Sequence, residues 1–325
     1  MPSRTLTGYL AVLAADGQQA GPDGAELRSG QFHDVVLAGS AAYRFPRDAE
    51  SRRLLPERAA LLSELAARAR SEVPVTRPEV PVTRAQLPVE LPEPRGTDWM
   101  RWVRRPLGTC YLPVRRLSGT PPGAGLADDP RAADALVTQL AGLLSALASA
   151  GADDRVRQVV PAATPGAWQA WAAQVRSVLF PLMSAAGRQR AEAELAAVEA
   201  VPSTGTALVH GDLGGANLLF EESGGVPRLT GVLDWDDACI GSQANDLASL
   251  AATFGWPLTT RVDRRLRDRA DSMLPAARRI VATFALQQAL PAALSGDQVS
   301  LDDGLGSYVR DSRRLPAGGS ATQDG

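Results

Sequence analysis

The thirteen residues from Leu208 to Phe220 constrain this chain more than any other stretch. They read Leu-Val-His-Gly-Asp-Leu-Gly-Gly-Ala-Asn-Leu-Leu-Phe: an apolar strand, a polar octapeptide of the form H-x-D-x-x-x-x-N, and a second apolar run. The chain holds only two histidines (His33 and His210) and two asparagines (Asn217 and Asn245), and one of each falls inside this octapeptide. Composition alone would not place them so. Ala207 to Val209 predicts a buried strand, and Gly214-Gly215 lets the backbone bend before the hairpin that follows.

The second informative stretch is Leu229-Thr-Gly-Val-Leu-Asp-Trp-Asp-Asp237. Asn217 to Glu221 and Arg228 to Leu233 read as strands around a Ser-Gly-Gly turn, a hairpin that would return Asp234 beside Asn217. The residue types suit phosphoryl transfer from a nucleotide, which needs positioning and charge neutralisation more than covalent help. Asp212 would accept or orient the proton of an attacking hydroxyl. Asn217 would offer an amide oxygen and Asp234 a carboxylate to Mg²⁺, a hard cation that prefers oxygen. His210 reads as a structural brace, since imidazole is a poor ligand for Mg²⁺. Asp236 and Asp237 are competing carboxylates; Asp234 is preferred because it directly follows the apolar strand Gly-Val-Leu. The bland alternative is a solvated turn with no chemistry.

The ordered pieces His210-Gly-Asp212, Asn217, Asp234-Trp235 and Gly241-Ser-Gln-Ala-Asn-Asp246-Leu-Ala resemble the aminoglycoside and macrolide phosphotransferase family. That resemblance implies an α+β, protein-kinase-like bilobal fold, with a small antiparallel-sheet N-lobe and a larger, mainly helical C-lobe. It implies Asp212 as the catalytic aspartate, Asn217 and Asp234 as metal holders, and Asp246 as a buried brace of the catalytic loop. It also implies ATP or GTP as phosphoryl donor, with Mg²⁺. The acceptor would be a hydroxyl on a small molecule, most naturally an antibiotic of aminoglycoside, macrolide or nucleoside type, inactivated to give resistance. A metabolic sugar or amino-alcohol kinase of the same fold, or an inactive binding module, are the alternatives. A protein kinase is disfavoured, because D-F-G, A-P-E and a three-glycine loop are missing.

In the N-terminal half, Ala25 to Ser29, Asp34 to Ala38 and Ala42 to Phe45 read as strands. By the resemblance, Gly30, Phe32 and His33 belong to the loop over the nucleotide phosphates. Arg44 stands in the place of a phosphate-binding lysine; the chain has no lysine at all. Arginine's planar fork differs there from a point-charge ammonium. A helix is expected from about Pro56, where proline suits a first helical position. Glu57 on it would hold Arg44, with Glu50 and Glu64 as rivals. Glu72 to Arg95, with Glu-Val-Pro-Val-Thr-Arg duplicated, reads as a loop and edge strand approaching the sheet. Trp99 to Val103 and Cys110 to Arg115 read as its last strands, and Leu117 to Gly119 resembles the hinge whose backbone holds the base.

In the remainder, Asp129 to Ala150, Trp168 to Met183, Arg188 to Ala200 and Ala276 to Leu294 read as helices. Trp168 and Trp171 would stack on an acceptor or serve packing. Residues 1–118 are expected to form the nucleotide-binding lobe, 119–314 the catalytic and acceptor-binding lobe, and 315–325 a disordered tail. A net charge of −2 gives no electrostatic case for nucleic acid or an anionic membrane. Two well-separated cysteines, Cys110 and Cys239, suit a reducing cytoplasm. Leu6 to Ala15 faintly resembles a signal peptide but is read as a short amphipathic helix.

Overall fold

The computed structural model describes residues 4–18, 20–30, 32–70, 75–77, 80–82, 87–96, 99–266 and 272–309. In chain order the elements are α1 (Leu6–Ala15), β1 (Glu26–Ser29), β2 (His33–Ala38), β3 (Ala41–Pro46), α2 (Ala49–Arg70), β4 (Val75–Arg77), β5 (Val80–Val82) and α3 (Trp99–Val103). Then follow β6 (Leu112–Arg115), α4 (Pro130–Gly151), α5 (Asp154–Val159), α6 (Ala167–Val178) and α7 (Ala185–Glu199). The rest are β7 (Ala207–Val209), β8 (Leu218–Ser223), β9 (Val226–Val232), β10 (Cys239–Gly241), α8 (Ala244–Leu266), α9 (Leu274–Ala282), α10 (Phe284–Ser295) and α11 (Gln298–Val309). Contacts divide the chain into two compact units, Met1–Ala163 with Thr204–Leu274, and Thr164–Ser203 with Pro275–Gly325. The expected tail, 315–325, lies outside the described residues.

The first unit begins with an antiparallel sheet in the order β1-β2-β3-β6. Side chains alternate faces along β3. Tyr43 and Phe45 join a core with Tyr9, Leu13 and Tyr111 on one face, which leaves Arg44 to project from the other. Helix α1 covers the first face. Its Tyr9 ring stacks 4.3 Å from Phe45, and the Tyr9 hydroxyl donates to Asp34 across 2.6 Å. Burying Leu13 and Phe45 contributes roughly 1.5–3 kcal/mol each.

Two expectations for this region are corrected. Trp99 to Val103 is a helical turn rather than a strand: Trp102 and Val103 face inward, with Trp102 stacked 5.8 Å from Tyr111. Aromatic residues favour strands only where a sheet neighbour exists to pack on. Helix α2 starts at Ala49, not near Pro56, because Asp48 accepts a hydrogen bond from the Ser51 N–H at 2.7 Å and caps it. Pro56 therefore sits inside the helix and removes one ladder bond. The expected approach of Glu72 to Arg95 to the sheet is seen at its end, where Arg95 N–H donates to Pro113 O at 2.9 Å and Arg115 N–H to Glu93 O at 2.8 Å. Within the duplicated valine-rich part β4 pairs with β5, and residues 71–74, 78–79 and 83–86 lie outside the described ones.

Helix α4 forms as the apolar stripe requires, capped by Asp129 on the Ala132 N–H with Pro130 opening the first turn. Among the described residues it is one helix long and apolar enough to cross a membrane by length and composition. Leu136, Leu140, Leu143, Leu144 and Leu147 are fully buried in the core instead. Gln139 on α4 pins the β8–β9 hairpin, donating to Pro227 O at 2.9 Å and accepting from Leu229 N–H at 2.7 Å. Strands β7 and β10 pair antiparallel, which sets the loops after Val209 and before Cys239 side by side. The run Ala244–Leu266 is interrupted at Gly255, whose φ of 80° is open to glycine and rarely to other residues.

The second unit packs Val175, Leu179, Leu195, Leu286, Leu290, Leu305 and Tyr308 into its own core. Here two of the expected helices are divided. Trp168 to Met183 divides into α6 and a 3₁₀ turn at Phe180–Leu182, which contains Pro181. Ala276 to Leu294 divides at Thr283, whose hydroxyl donates to Ile280 O at 2.8 Å. Trp171 packs against the core, and Trp168 meets it edge-on at 5.7 Å.

Candidate active site

The loop after β7 is held from beneath. Asp246, fully buried near the start of α8, accepts hydrogen bonds from the backbone N–H of His210 (3.1 Å) and of Gly211 (3.0 Å). Burial pushes its pKa up, and the two backbone N–H groups work against that. His210 is also buried. Its Nε2 donates to Leu233 O at 2.7 Å while Nδ1 accepts from the Asp212 N–H at 3.2 Å, which assigns the tautomer and ties the loop to the end of β9. The ring meets Trp235 edge-on at 4.7 Å. Gly211 has φ of 89°, and a Cβ there would lie 2.5 Å from Asp237 O. No other residue fits that position without shifting the backbone.

The loop delivers Asp212 and Asn217 to one place. Asn217 Nδ2 donates to the Asp212 carboxylate at 2.8 Å and to the Asp212 carbonyl at 2.9 Å. This fixes the amide so that Oδ1 is left to serve as an acceptor ligand. The hairpin then closes as the spacing demands, with Leu233 N–H donating to Asn217 O at 2.8 Å. Asp234 follows directly, half-exposed, at φ of 53°, an unusual backbone for a non-glycine residue. An oriented amide oxygen and an accessible carboxylate are hard oxygen donors that fit a Mg²⁺ completed by phosphate and water. Among the described residues no three acidic, histidine or cysteine side chains converge as a protein-only metal cage.

Arg44 has different partners from those the sequence suggests. Its Nη2 donates to Asp234 at 2.9 Å and to Asp236 at 2.8 Å, and lies 3.4 Å from His33 Nδ1. Burial alone would lower the guanidinium pKa, but Asp236 and Asp234 more than offset it and push it up. Burial would raise the Asp236 pKa; Arg44, His33 and Arg58 reverse that, and its carboxyl sits well below the usual range. Glu57 does not hold Arg44. It is exposed, because the inward stripe of α2 runs through Leu55, Ala59 and Leu62, and Arg58 rather than Glu57 shares that stripe. Glu50 is likewise paired elsewhere, with Arg53 at 2.7 Å.

Gly30 and His33 close a tight turn, Gly30 N–H donating to His33 O at 2.8 Å, and Phe32 at its tip is 45% exposed. His33 is buried against Asp236 at 3.2 Å. A cavity of about 270 Å³ lies here, lined by Phe32, His33, Leu54, Arg58, Asp236 and Asp237. Asp237's pKa is pushed up, first by loss of surrounding water and then by Asp234, Asp236 and Asp212, against Arg58. Leu117 and Gly119 lie apart from this cluster, against the hairpin: Leu117 touches Gly231, and Gly119, at φ of 98°, lies against Thr230 and Phe220 O. Sequence reasoning missed Arg58 and Thr253, whose hydroxyl accepts from the Gly215 N–H at 2.8 Å. The spacing of Leu55, Arg58, Ala59 and Leu62 could have revealed the first; Thr253 leaves no local signal.

Residues 23–282 match the phosphotransferase enzyme family. The chain is 41% identical over 288 residues to viomycin phosphotransferase of Streptomyces vinaceus, covering 88% of this chain and 92% of that protein. Its fold is similar to that of aminoglycoside 2'-phosphotransferase-IIIa in a GDP complex, with a TM-score of 0.69 at 21% identity over 93% of this chain and 97% of the other. A macrolide 2'-phosphotransferase from Brachybacterium faecium gives 0.65 at 20% identity, over 95% and 100%. The α+β kinase-like architecture expected from the motifs is thus the one observed, and the chain belongs to the phosphotransferase enzyme family.

Proposed function

We propose that this phosphotransferase moves the terminal phosphoryl group of ATP or GTP to a hydroxyl of an antibiotic, with viomycin as the acceptor to test first. The observation that carries the reading is the Asn217–Asp212 hydrogen bond of 2.8 Å at the point where the hairpin returns Asp234. The extent of the likeness to viomycin phosphotransferase supports the acceptor. In this reading residues 1–118 bind the nucleotide and 119–314 carry the chemistry and the acceptor.

Asp212 lies at the surface, and the Asn217 amide fixes one of its oxygens. The other is left to accept the hydroxyl proton as the attacking oxygen approaches. Asn217 and Asp234 would hold Mg²⁺, which when bound neutralises charge between the phosphates. Arg44 supplies a fixed cation for the phosphate oxygens, the turn at Gly30, Phe32 and His33 covers them, and Leu117 to Gly119 offer backbone to the base.

The test is phosphate transfer to viomycin in the presence of Mg²⁺ with ATP or GTP, for the wild type and Asp212→Ala. Losing the base should slow turnover by about 10²–10⁴-fold, with melting unchanged. Turnover kept in Asp212→Ala would mean that another residue does this work. Transfer to a sugar or amino alcohol in place of any antibiotic would transfer the assignment to a metabolic kinase.

A further inference from the structure

We propose that Asp236 is the residue that positions Arg44 on the donor phosphates, an anchor supplied by the loop after β9 rather than by helix α2. The inference rests on the phosphotransfer reading and names a residue that reading leaves without a role.

Arg44 lies in the middle of β3, opposite Val35 and Leu112, with its side chain only 10% exposed. A buried guanidinium needs a fixed partner of opposite charge. Among the described residues two carboxylates are in reach, and they differ in kind. Asp234 is 52% exposed and can exchange Arg44 for another cation; Asp236 is 13% exposed and is enclosed by Arg44 at 2.8 Å, His33 at 3.2 Å and Arg58 at 4.0 Å. Only Asp236 can keep Arg44 in place when Asp234 is engaged elsewhere.

The helix contributes the opposite charge from the one expected. The inward face of α2 presents Arg58 to Asp236, so the cluster reads cation from the strand, anion from the loop, cation from the helix. This arrangement suits an arginine. Among the described residues its polar contacts run through Nη2, which leaves the Nε and Nη1 N–H groups for an anion while the anchor holds. A planar fork is held in aim by an anchor at one end, whereas a point-charge ammonium has no such lever.

The experiment measures binding of MgATP and MgGTP, and of adenosine and guanosine as competitors, to the wild type, Asp236→Asn, Asp236→Glu and Glu57→Gln. In Asp236→Asn the triphosphates should bind at least about tenfold more weakly, the size of one lost charged hydrogen bond, with nucleoside affinity unchanged. Asp236→Glu should recover most of the loss, and Glu57→Gln should match the wild type. A misfolded variant would lose nucleoside and triphosphate together, and that result would overturn the proposal. So would a weakening in Glu57→Gln without one in Asp236→Asn. A wild-type chain that binds neither triphosphate would overturn the phosphotransfer reading itself.

Discussion

Replacing Asp246 by asparagine tests whether the catalytic loop is held by one buried charge. The carboxylate uses one oxygen for the His210 N–H and the other for the Gly211 N–H, at 3.1 and 3.0 Å, and is fully enclosed. Hydrogen bonds to a charged acceptor contribute about 1.5–3 kcal/mol each. Asparagine keeps one acceptor but turns its NH₂ toward the other N–H. One bond is lost, and one buried donor is left unpaired at a cost of about 1–3 kcal/mol. Part of this is returned, because burial already disfavours the carboxylate, as its raised pKa shows. A net loss of about 2–4 kcal/mol follows. At roughly 2 °C per kcal/mol for a chain of this size, the melting temperature should fall by about 4–8 °C. Turnover should fall by about 10²-fold, since displacement of Asp212 by even 1 Å carries that penalty. Thermal melting and initial-rate assays on Asp246→Asn and Asp212→Asn separate the two effects, the second losing turnover alone. If Asp246→Asn melted with the wild type, or lost stability yet kept full turnover, the idea that this aspartate holds the loop would be wrong.

Other consequences follow from the same contacts. Thr253→Val removes the acceptor for the Gly215 N–H; turnover should fall several-fold with a stability loss of about 1 kcal/mol, read by kinetics and melting. Gly187→Ala would place a Cβ into the Tyr308 carbonyl where α7 meets α11; overpacking of about 1–3 kcal/mol should speed amide exchange in both helices. The contact between α1 and the sheet should limit stability at both pH extremes. Burial would raise the Asp34 pKa, but hydrogen bonds from Arg4 and Tyr9 outweigh it and lower it. That stabilisation is full above the ordinary carboxylate pKa of about 3.9 and is lost as pH falls through the depressed value. Tyr9 is pushed up to about 12 by burial and then by Asp34. Its contribution is full below about pH 10 and is lost as pH rises toward that value. Denaturant titrations of Asp34→Asn and Tyr9→Phe should flatten the acid and alkaline limbs respectively; unchanged limbs would show that other groups dominate.

The elements that sequence reading placed well are those stabilised close to home. The helix expected from Asp129 to Ala150 and the Ser-Gly-Gly turn are read within a few residues, since each depends on backbone dihedrals and neighbouring side chains. Where a distant partner decided the outcome, local reading failed. Trp102 lies in a helical turn where its ring stacks on Tyr111. The start of α2 is a different case, since Asp48 caps it locally, three residues before Ser51.

By itself, the sequence determined the octapeptide, the hairpin and therefore the approach of Asp234 to Asn217, because strand alternation and a two-glycine turn leave the chain little choice. The tertiary structure alone decided which acid meets Arg44, across 190 and 192 residues of chain. Helix phase turned Glu57 to solvent and Arg58 inward, and the chain after β9 brought both Asp234 and Asp236 to Arg44. Sequence lists the charges; only packing decides which of them lose their water, and those are the ones compelled to pair.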